Sequence, residues 1–266
     1  MDSITEEAPF VHEVPVEVVD IARAVCPPNP VICEIGSRDA LDGIYLSKAL
    51  DAAECHIFEP NPASIQTCLA NLASHGRGRN VYFNPLALSE AEGHVDFFPV
   101  NPEKSVNKDL GFSSMFRVNP AYASERRGSI IQDRITVGAT TLDSYFQGRR
   151  RGPDLLWIDV EGAEKLVLTG GESVLKSVTL IHIEVSFRPM QVGKPLWWEI
   201  DGFLQGRGFR LLRFVGVSRL KAFMVVHKLL PNLPWRWNAV YLRGDKLSVL
   251  RLHSRVRNQD QRRPPS

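Results

Sequence analysis

Four acidic residues each close a short apolar run: Glu34 ends VICE, Glu59 ends CHIFE, Asp159 ends LLWID and Glu184 ends LIHIE. A carboxylate at the edge of an apolar core costs desolvation free energy. A helix N-cap or a surface acid accounts for any one of them, whereas four at four such ends point to a ligand. Carboxylates so placed accept hydrogen bonds from vicinal hydroxyls, balance a ligand cation, or take a proton from a reacting hydroxyl. Gly36 follows the first acid and lets the backbone approach a ligand with no Cβ in the way. Glu161 follows Asp159 by two positions, and Glu164 is expected to face solvent on the next helix.

The elements that must position these residues are legible as periodicity. Val31–Gly43 reads as strand, tight turn and helix, with Leu41, Ile44, Tyr45 and Leu50 near helical spacing. Cys55–Glu59 is a second strand, and Pro62 suits the first turn of a helix running to about Ser74. Asn80–Leu88 is a third strand, and an outer helix covers Pro15–Val25. This β-α-β-α-β alternation predicts an α/β fold with a mostly parallel sheet, helices on both faces and right-handed crossovers. In such sheets ligands sit at the carboxyl ends of the strands, where the four acids stand.

The middle is less regular. His94–Val100 and Arg134–Thr140 read as short strands around Asn101–Arg134, a long polar stretch of the kind that forms lids and binding loops. Strands return at Leu155–Ile158, Leu180–Phe187, Phe209–Phe214 and Trp237–Arg243, with a helix over Trp197–Arg207; LKAFMVVH (220–227) reads as a further strand. The expected organisation is an N-terminal helical extension over 1–30, one domain over 31–245, and a basic, flexible tail over 246–266.

Composition bounds the partners. The formal net charge is +2 and 44% of residues are apolar, which points to neither nucleic acid nor membrane. Arg149–Arg151 and the tail carry clustered basic residues, read as a solvated loop and a frayed end. The four cysteines form no C-x-x-C pair and suit buried free thiols, with neither a zinc site nor a disulfide frame. MDSITEEAPF lacks the pattern of a signal peptide, and no apolar run approaches the ~20 residues of a spanning helix, so a cytoplasmic protein is expected.

Cofactor type follows from charge. Glu59 lies about 20 residues beyond the first turn, the spacing at which an acid accepts both ribose hydroxyls. The turn IGSRDALDG lacks G-x-G-x-x-G, and its Asp39 and Asp42 would repel a pyrophosphate at the helix N-terminus. S-adenosylmethionine carries a ribose, an ammonium and a sulfonium and no phosphate. It fits these acids; NAD does not.

EIGSRDALDG, FEPNP, PLALSE, TTLDSYF, LLWIDVEGAEKLVLTGG and LIHIEVSF, in that order, resemble the FkbM-type methyltransferases over about residues 30 to 245, most specifically at Ile158–Glu164. The resemblance implies a class I methyltransferase Rossmann-like fold, a seven-stranded sheet with the last strand antiparallel. It also implies O-methylation of a hydroxyl on a sugar, glycan or glycolipid, or of a small polyketide-like natural product. Carried onto this chain, Glu34 and Gly36, with Ser37 and Asp39 in the same turn, lie at the methionine end of the cofactor. Glu59 takes the ribose with Pro60 and Asn61 beside it, Ala87 and Leu88 flank the adenine, and Asp159 sits near the sulfonium. Ser114, in GFSSM with Ser113, is placed where a lid reaches the methionine carboxylate.

Asp159, Glu161 and Glu184 are the candidate catalytic set, as base or as clamps on acceptor hydroxyls; three carboxylates also suit Mg²⁺ or Ca²⁺, although no metal is expected. His182 is expected to be a hydrogen-bonded core residue, and Trp197 and Trp198 to pack a helix. An oxidoreductase, a nucleic-acid methyltransferase and a catalytically inactive cofactor-binding protein are the other classes weighed. The first lacks its glycine fingerprint. The second lacks an N/D-P-P-Y/F motif and a basic stripe on the core. The third predicts loss of the strand-end acids, which are present.

Overall fold

A computed structural model describes residues 10–106, 108–125, 130–230 and 232–250. The central strands are β1 (Val31–Ile35), β2 (Glu54–Phe58) and β3 (Val81–Asn84), followed after a second small sheet by β7 (Leu155–Ile158), β8 (Leu180–Ser186), β9 (Phe209–Phe214) and β10 (Arg236–Arg243). They form one seven-stranded sheet in the order β3-β2-β1-β7-β8-β10-β9. β10 inserts antiparallel between β8 and β9, while the β1, β2, β3, β7 and β8 pairings are parallel. This is the sheet with an antiparallel last strand that the family resemblance implies.

β1, β7 and β8 are buried along their whole length, which is why they read as mainly apolar runs rather than alternating ones; Glu34 and Glu184, expected at strand ends, lie buried inside β1 and β8. Helices on both faces supply the cover. α1 (Val16–Val25) buries Val18, Val19, Ile21, Ala22 and Val25 in the same cluster as Ile32, Trp157 and Val240, and α2 (Leu41–Ala49) adds Ile44 and Leu46. α6 (Glu164–Thr169) and α7 (Trp197–Gln205) pack the other face around Cys33, Leu156 and Ile183. α3 (Pro62–His75) begins where Asn61 accepts the Ala63 N–H, with Pro62 in the first turn.

The structure departs from the sequence reading in two places. Asn80–Leu88 is not one strand: Pro85 can give no ladder hydrogen bond, and after β3 the chain leaves the sheet. Its second half, β4 (Ala87–Leu88), joins β5 (Gly93–Phe97) and β6 (Ile135–Thr140) in a separate sheet ordered β4-β6-β5. LKAFMVVH is helical, within α8 (Arg219–Val226), capped by Ser218 accepting the Lys221 N–H. A short apolar run does not by itself separate strand from helix. The long middle stretch carries a helical turn at Leu110–Phe112 and α4 (Pro120–Glu125), and α5 (Leu142–Phe146) follows β6. Most of the expected tail, from residue 251, lies outside the described residues. No helix among the described residues is long and apolar enough to cross a membrane.

Candidate functional site

A cavity of about 320 Å³ opens at the carboxyl ends of β1, β2, β4 and β7. That is a small-ligand volume at the position where open α/β sheets bind ligands. Its walls hold Glu34, Gly36, Ser37, Asp39, Glu59, Pro60, Asn61, Ala87, Leu88, Asp159 and Glu161, so most sequence-selected residues converge on one space.

The turn after β1 is held in an unusual path. Gly36, Arg38 and Ala40 all have positive φ, +81°, +59° and +68°. A Cβ on Gly36 would lie 1.8 Å from the Asp159 carbonyl oxygen, so glycine is required by backbone contact as well as by φ. Each non-glycine left-handed residue costs about 1–2 kcal/mol. Hydrogen bonds offset the strain: the Gly36 and Ser37 amides donate to the Phe58 carbonyl, and the Ala40 amide donates to Ser37 Oγ at 2.7 Å.

Glu59 links the turn after β1 to the start of α3. Its Oε2 accepts the Arg38 amide at 2.8 Å and its Oε1 the Asn61 amide at 2.7 Å. Each carboxylate oxygen keeps a second lone pair for a ligand hydroxyl. Burial pushes its carboxyl up, and the two amides pull it back down.

At the opposite wall Glu34 accepts the Gly43 amide at 2.9 Å, and burial raises its carboxyl well above the ordinary range, with Asp42 and Asp39 adding to the rise. A Cβ on Gly43 would stand 2.2 Å from Glu34 Oε2. Gly43 is therefore part of the site although sequence reading passed over it; a glycine inside a helical pattern was the available signal.

Leu86, Ala87, Leu88, Phe58 and Phe97 make an apolar wall. Arg38, the cation nearest the turn, is already engaged by Glu13 and Asp39. Three acids, a ribose-type carboxylate, an apolar slot and no phosphate cradle fit S-adenosylmethionine. Glu59 and Asn61 would hold its ribose, Ala87 and Leu88 its adenine, and Glu34 and Asp39 its ammonium end.

The far end of the cavity holds the carboxylate cluster. One oxygen from each of Asp159, Glu161 and Glu184 lies within 4.8 Å of the others. Arg236 Nη1 enters this cluster at 2.6 Å from Glu161 and 2.9 Å from Glu184. Its guanidinium supplies the positive charge that a cation would otherwise bring. Glu161 also accepts from Gln191 at 2.9 Å, so each of its oxygens has one partner. Asp159 Oδ1 and Glu184 Oε1 have no hydrogen-bond partner among the described residues, and the Lys194 ammonium nearby has none either. Burial, with Glu161 adding to it, raises the Asp159 carboxyl to about 7, and burial raises Glu184 well above its usual range.

Several expectations are revised. Ser114 is buried away from the cavity wall: its hydroxyl donates to the Glu161 carbonyl at 2.8 Å, pinning the middle loop to the Glu161 turn. Ser113 is the member of the pair that lines the cavity, and it accepts from Asn61 Nδ2 at 3.2 Å. Glu184 does not line the cavity and reaches it through Arg236. Glu164 is 1% exposed rather than solvent-facing and accepts the Gly162 amide.

His182 is a core residue but not a hydrogen-bonded one: it stacks on Trp157 with ring centroids 3.6 Å apart, and neither ring nitrogen has a partner among the described residues. Burial lowers its pKa to about 3, so it is neutral. Trp197 packs as expected, donating to the Tyr241 hydroxyl. Sequence reading missed Arg236, Trp157 and the N-terminal segment Val11–Glu13, which all line the cavity. Only the fold brings them there.

The Methyltransferase FkbM domain matches residues 34–211, which span both the cofactor wall and the carboxylate cluster. The chain is 29% identical over 168 residues to the 2-O-methyltransferase NoeI of Sinorhizobium fredii, covering 63% of this chain and 68% of that protein. It is 26% identical over 209 residues to the methyltransferase sdnD of Sordaria araneosa, covering 73% and 78%. Among solved structures, it resembles the precorrin-6y C5,15-methyltransferase of Geobacter metallireducens with a TM-score of 0.46 and 14% identity, covering 90% of this chain and 94% of that one. With a family match over more than half its length, the chain belongs to the FkbM methyltransferase family and is an S-adenosylmethionine-dependent methyltransferase.

Proposed function

We propose that the protein O-methylates a hydroxyl of a sugar, glycan or glycolipid, with Asp159 as the proton acceptor. The observation that carries this reading is the partnerless carboxyl oxygen Asp159 Oδ1, on a residue that lines the end of the cofactor cavity beside Arg236. Buried polar atoms without partners are rare, and an acceptor hydroxyl would satisfy this one. The likeness to a 2-O-methyltransferase supports the same acceptor class.

Bound in the cavity, S-adenosylmethionine supplies an electrophilic methyl group. The chain's own part is to position the acceptor and remove its proton. Asp159 lines the cavity, carries an open oxygen and has a carboxyl raised to about 7, near the range where a general base is most effective. Glu161, fixed by Arg236 on one oxygen and Gln191 on the other, orients rather than deprotonates. Much of the acceleration comes from holding donor and acceptor in line.

The test is methyl transfer from labelled S-adenosylmethionine to a panel of oligosaccharides, glycolipids and small hydroxylated natural products, with product masses read for one added methyl. Transfer to a saccharide hydroxyl, abolished in Asp159→Asn, supports the proposal. Transfer only to the small natural products sinks the acceptor class, and full turnover in Asp159→Asn sinks the base.

A further inference from the structure

From Gly202 to Gly244 the chain contains no Asp or Glu but eight Lys and Arg residues. This stretch includes β9, α8 and β10, and α8 is the connection between the two strands. β9 ends, and β10 begins with the cavity residue Arg236, at the same end of the sheet. α8 therefore lies at the same end of the sheet as the cavity, on the β9 edge.

α8 is apolar on two sides. Its inner side places Ala222, Val225 and Val226 in the core. Its outer side, half a turn away by helical spacing, exposes Leu220 (70%) and Phe223 (55%), and Leu229 (59%) continues the patch just beyond the helix. An ordinary surface helix is polar on the side away from the core. Around this apolar outer side stand Arg219, Lys221 and Lys228, all exposed. None of the three forms an ion pair among the described residues. Lys221 and Lys228 instead lie over the rings of Trp237 and Trp198.

We propose that α8 and Leu229 form a docking surface for an anionic lipid bilayer, at the same end of the sheet as the cavity. Exposed Leu and Phe beside lysines is the pattern of an interfacial helix: apolar side chains enter the headgroup boundary while the cations pair with acidic lipids. Charge complementarity selects this occupant, since a bare apolar patch would serve a protein partner equally, whereas a stretch free of acids and ringed by unpaired cations matches a negative surface. The proposal does not depend on which acceptor is methylated.

The test is co-sedimentation of the full-length protein with vesicles of phosphatidylcholine alone and of phosphatidylcholine with 30% phosphatidylglycerol (about one lipid in three, a strongly anionic surface). Binding to the anionic vesicles, weakened by salt and absent with phosphatidylcholine alone, is the expected result. Leu220→Asp/Phe223→Asp should abolish it, and Lys221→Glu/Lys228→Glu should lower the partition coefficient by about thirtyfold or more. Arg262→Glu/Arg263→Glu, in the basic C-terminal segment, should leave most of the binding intact. Circular dichroism and cofactor binding report whether each variant is folded. No vesicle binding, or binding that survives Leu220→Asp/Phe223→Asp but is lost in the Arg262→Glu/Arg263→Glu variant, overturns the proposal. So does a dimer that dissociates in Leu220→Asp/Phe223→Asp without any vesicle binding by the wild type.

Discussion

Replacing Arg236 by Met tests how the carboxylate cluster is held together. Its guanidinium bridges Glu161 and Glu184 at 2.6 and 2.9 Å, and those carboxylates are only 9% and 5% exposed. Removing one partner of a fully buried pair costs about 3–5 kcal/mol. Arg236 itself is 40% exposed, so solvent screens part of its contribution and about 2 kcal/mol is the better expectation at pH 8. Met keeps the apolar stem, so most of the loss is charge.

The loss must depend on pH. Asp159 and Glu184 already have raised carboxyls, so in the folded state they hold protons at pH values where the unfolded chain has released them. Stability from these groups is fully present at low pH and is lost as pH rises through their folded values, about 7 for Asp159. Removing the cation raises those values further, and for Asp159, starting from about 7, this deepens the loss at pH 8 by at most about 1.4 kcal/mol. Denaturant melts at pH 5.5 and 8 should therefore show a small cost, about 1 kcal/mol or less, at the lower pH and the full cost at the higher. An equal loss at both pH values, or none at pH 8, would refute the account of Arg236 as the charge partner of the cluster.

Other outcomes follow from the same geometry. Glu59→Ala should weaken S-adenosylhomocysteine binding about 5- to 150-fold by titration calorimetry, the 1–3 kcal/mol cost of unpaired buried hydroxyls; unchanged affinity would exclude Glu59 from the ribose site. Gly43→Ala places a methyl 2.2 Å from Glu34 Oε2, so a loss of about 1–3 kcal/mol is expected. A raised melting temperature, which helix propensity alone predicts, would show that Glu34 is not locked there. With Asp159 as base, kcat/KM should climb with pH through about 7 and then level off, because the active form is the ionised carboxylate; a profile flat from pH 6 to 8 would remove Asp159 from that role.

Sequence alone determined the parallel core and the placement of its acids. Strands buried on both faces are largely apolar, so Glu59 and Asp159 mark strand ends as plainly as turns do, whereas Glu34 lies inside β1, one residue before its end. The charge argument for the cofactor needed only Asp39, Asp42 and the missing glycine fingerprint, because it concerns residues next to one another in the chain. What tertiary structure decided was everything that depends on distant pairing. β10 slots between β8 and β9 and carries Arg236 to Glu161 and Glu184, a contact that no local pattern encodes. Val11–Glu13 reaches the cavity wall because α1 docks on the same face as α2. Ser114 and Ser113 are neighbours of the same chemical type, and only the loop's path turns one to the Glu161 carbonyl and the other to the cavity. Eight apolar-rich residues such as LKAFMVVH satisfy either period, and only the packing of α8 against the core resolves them as a helix. Periodicity reports which face of an element is buried; which elements meet is set by sheet order, and sheet order is a property of the whole chain.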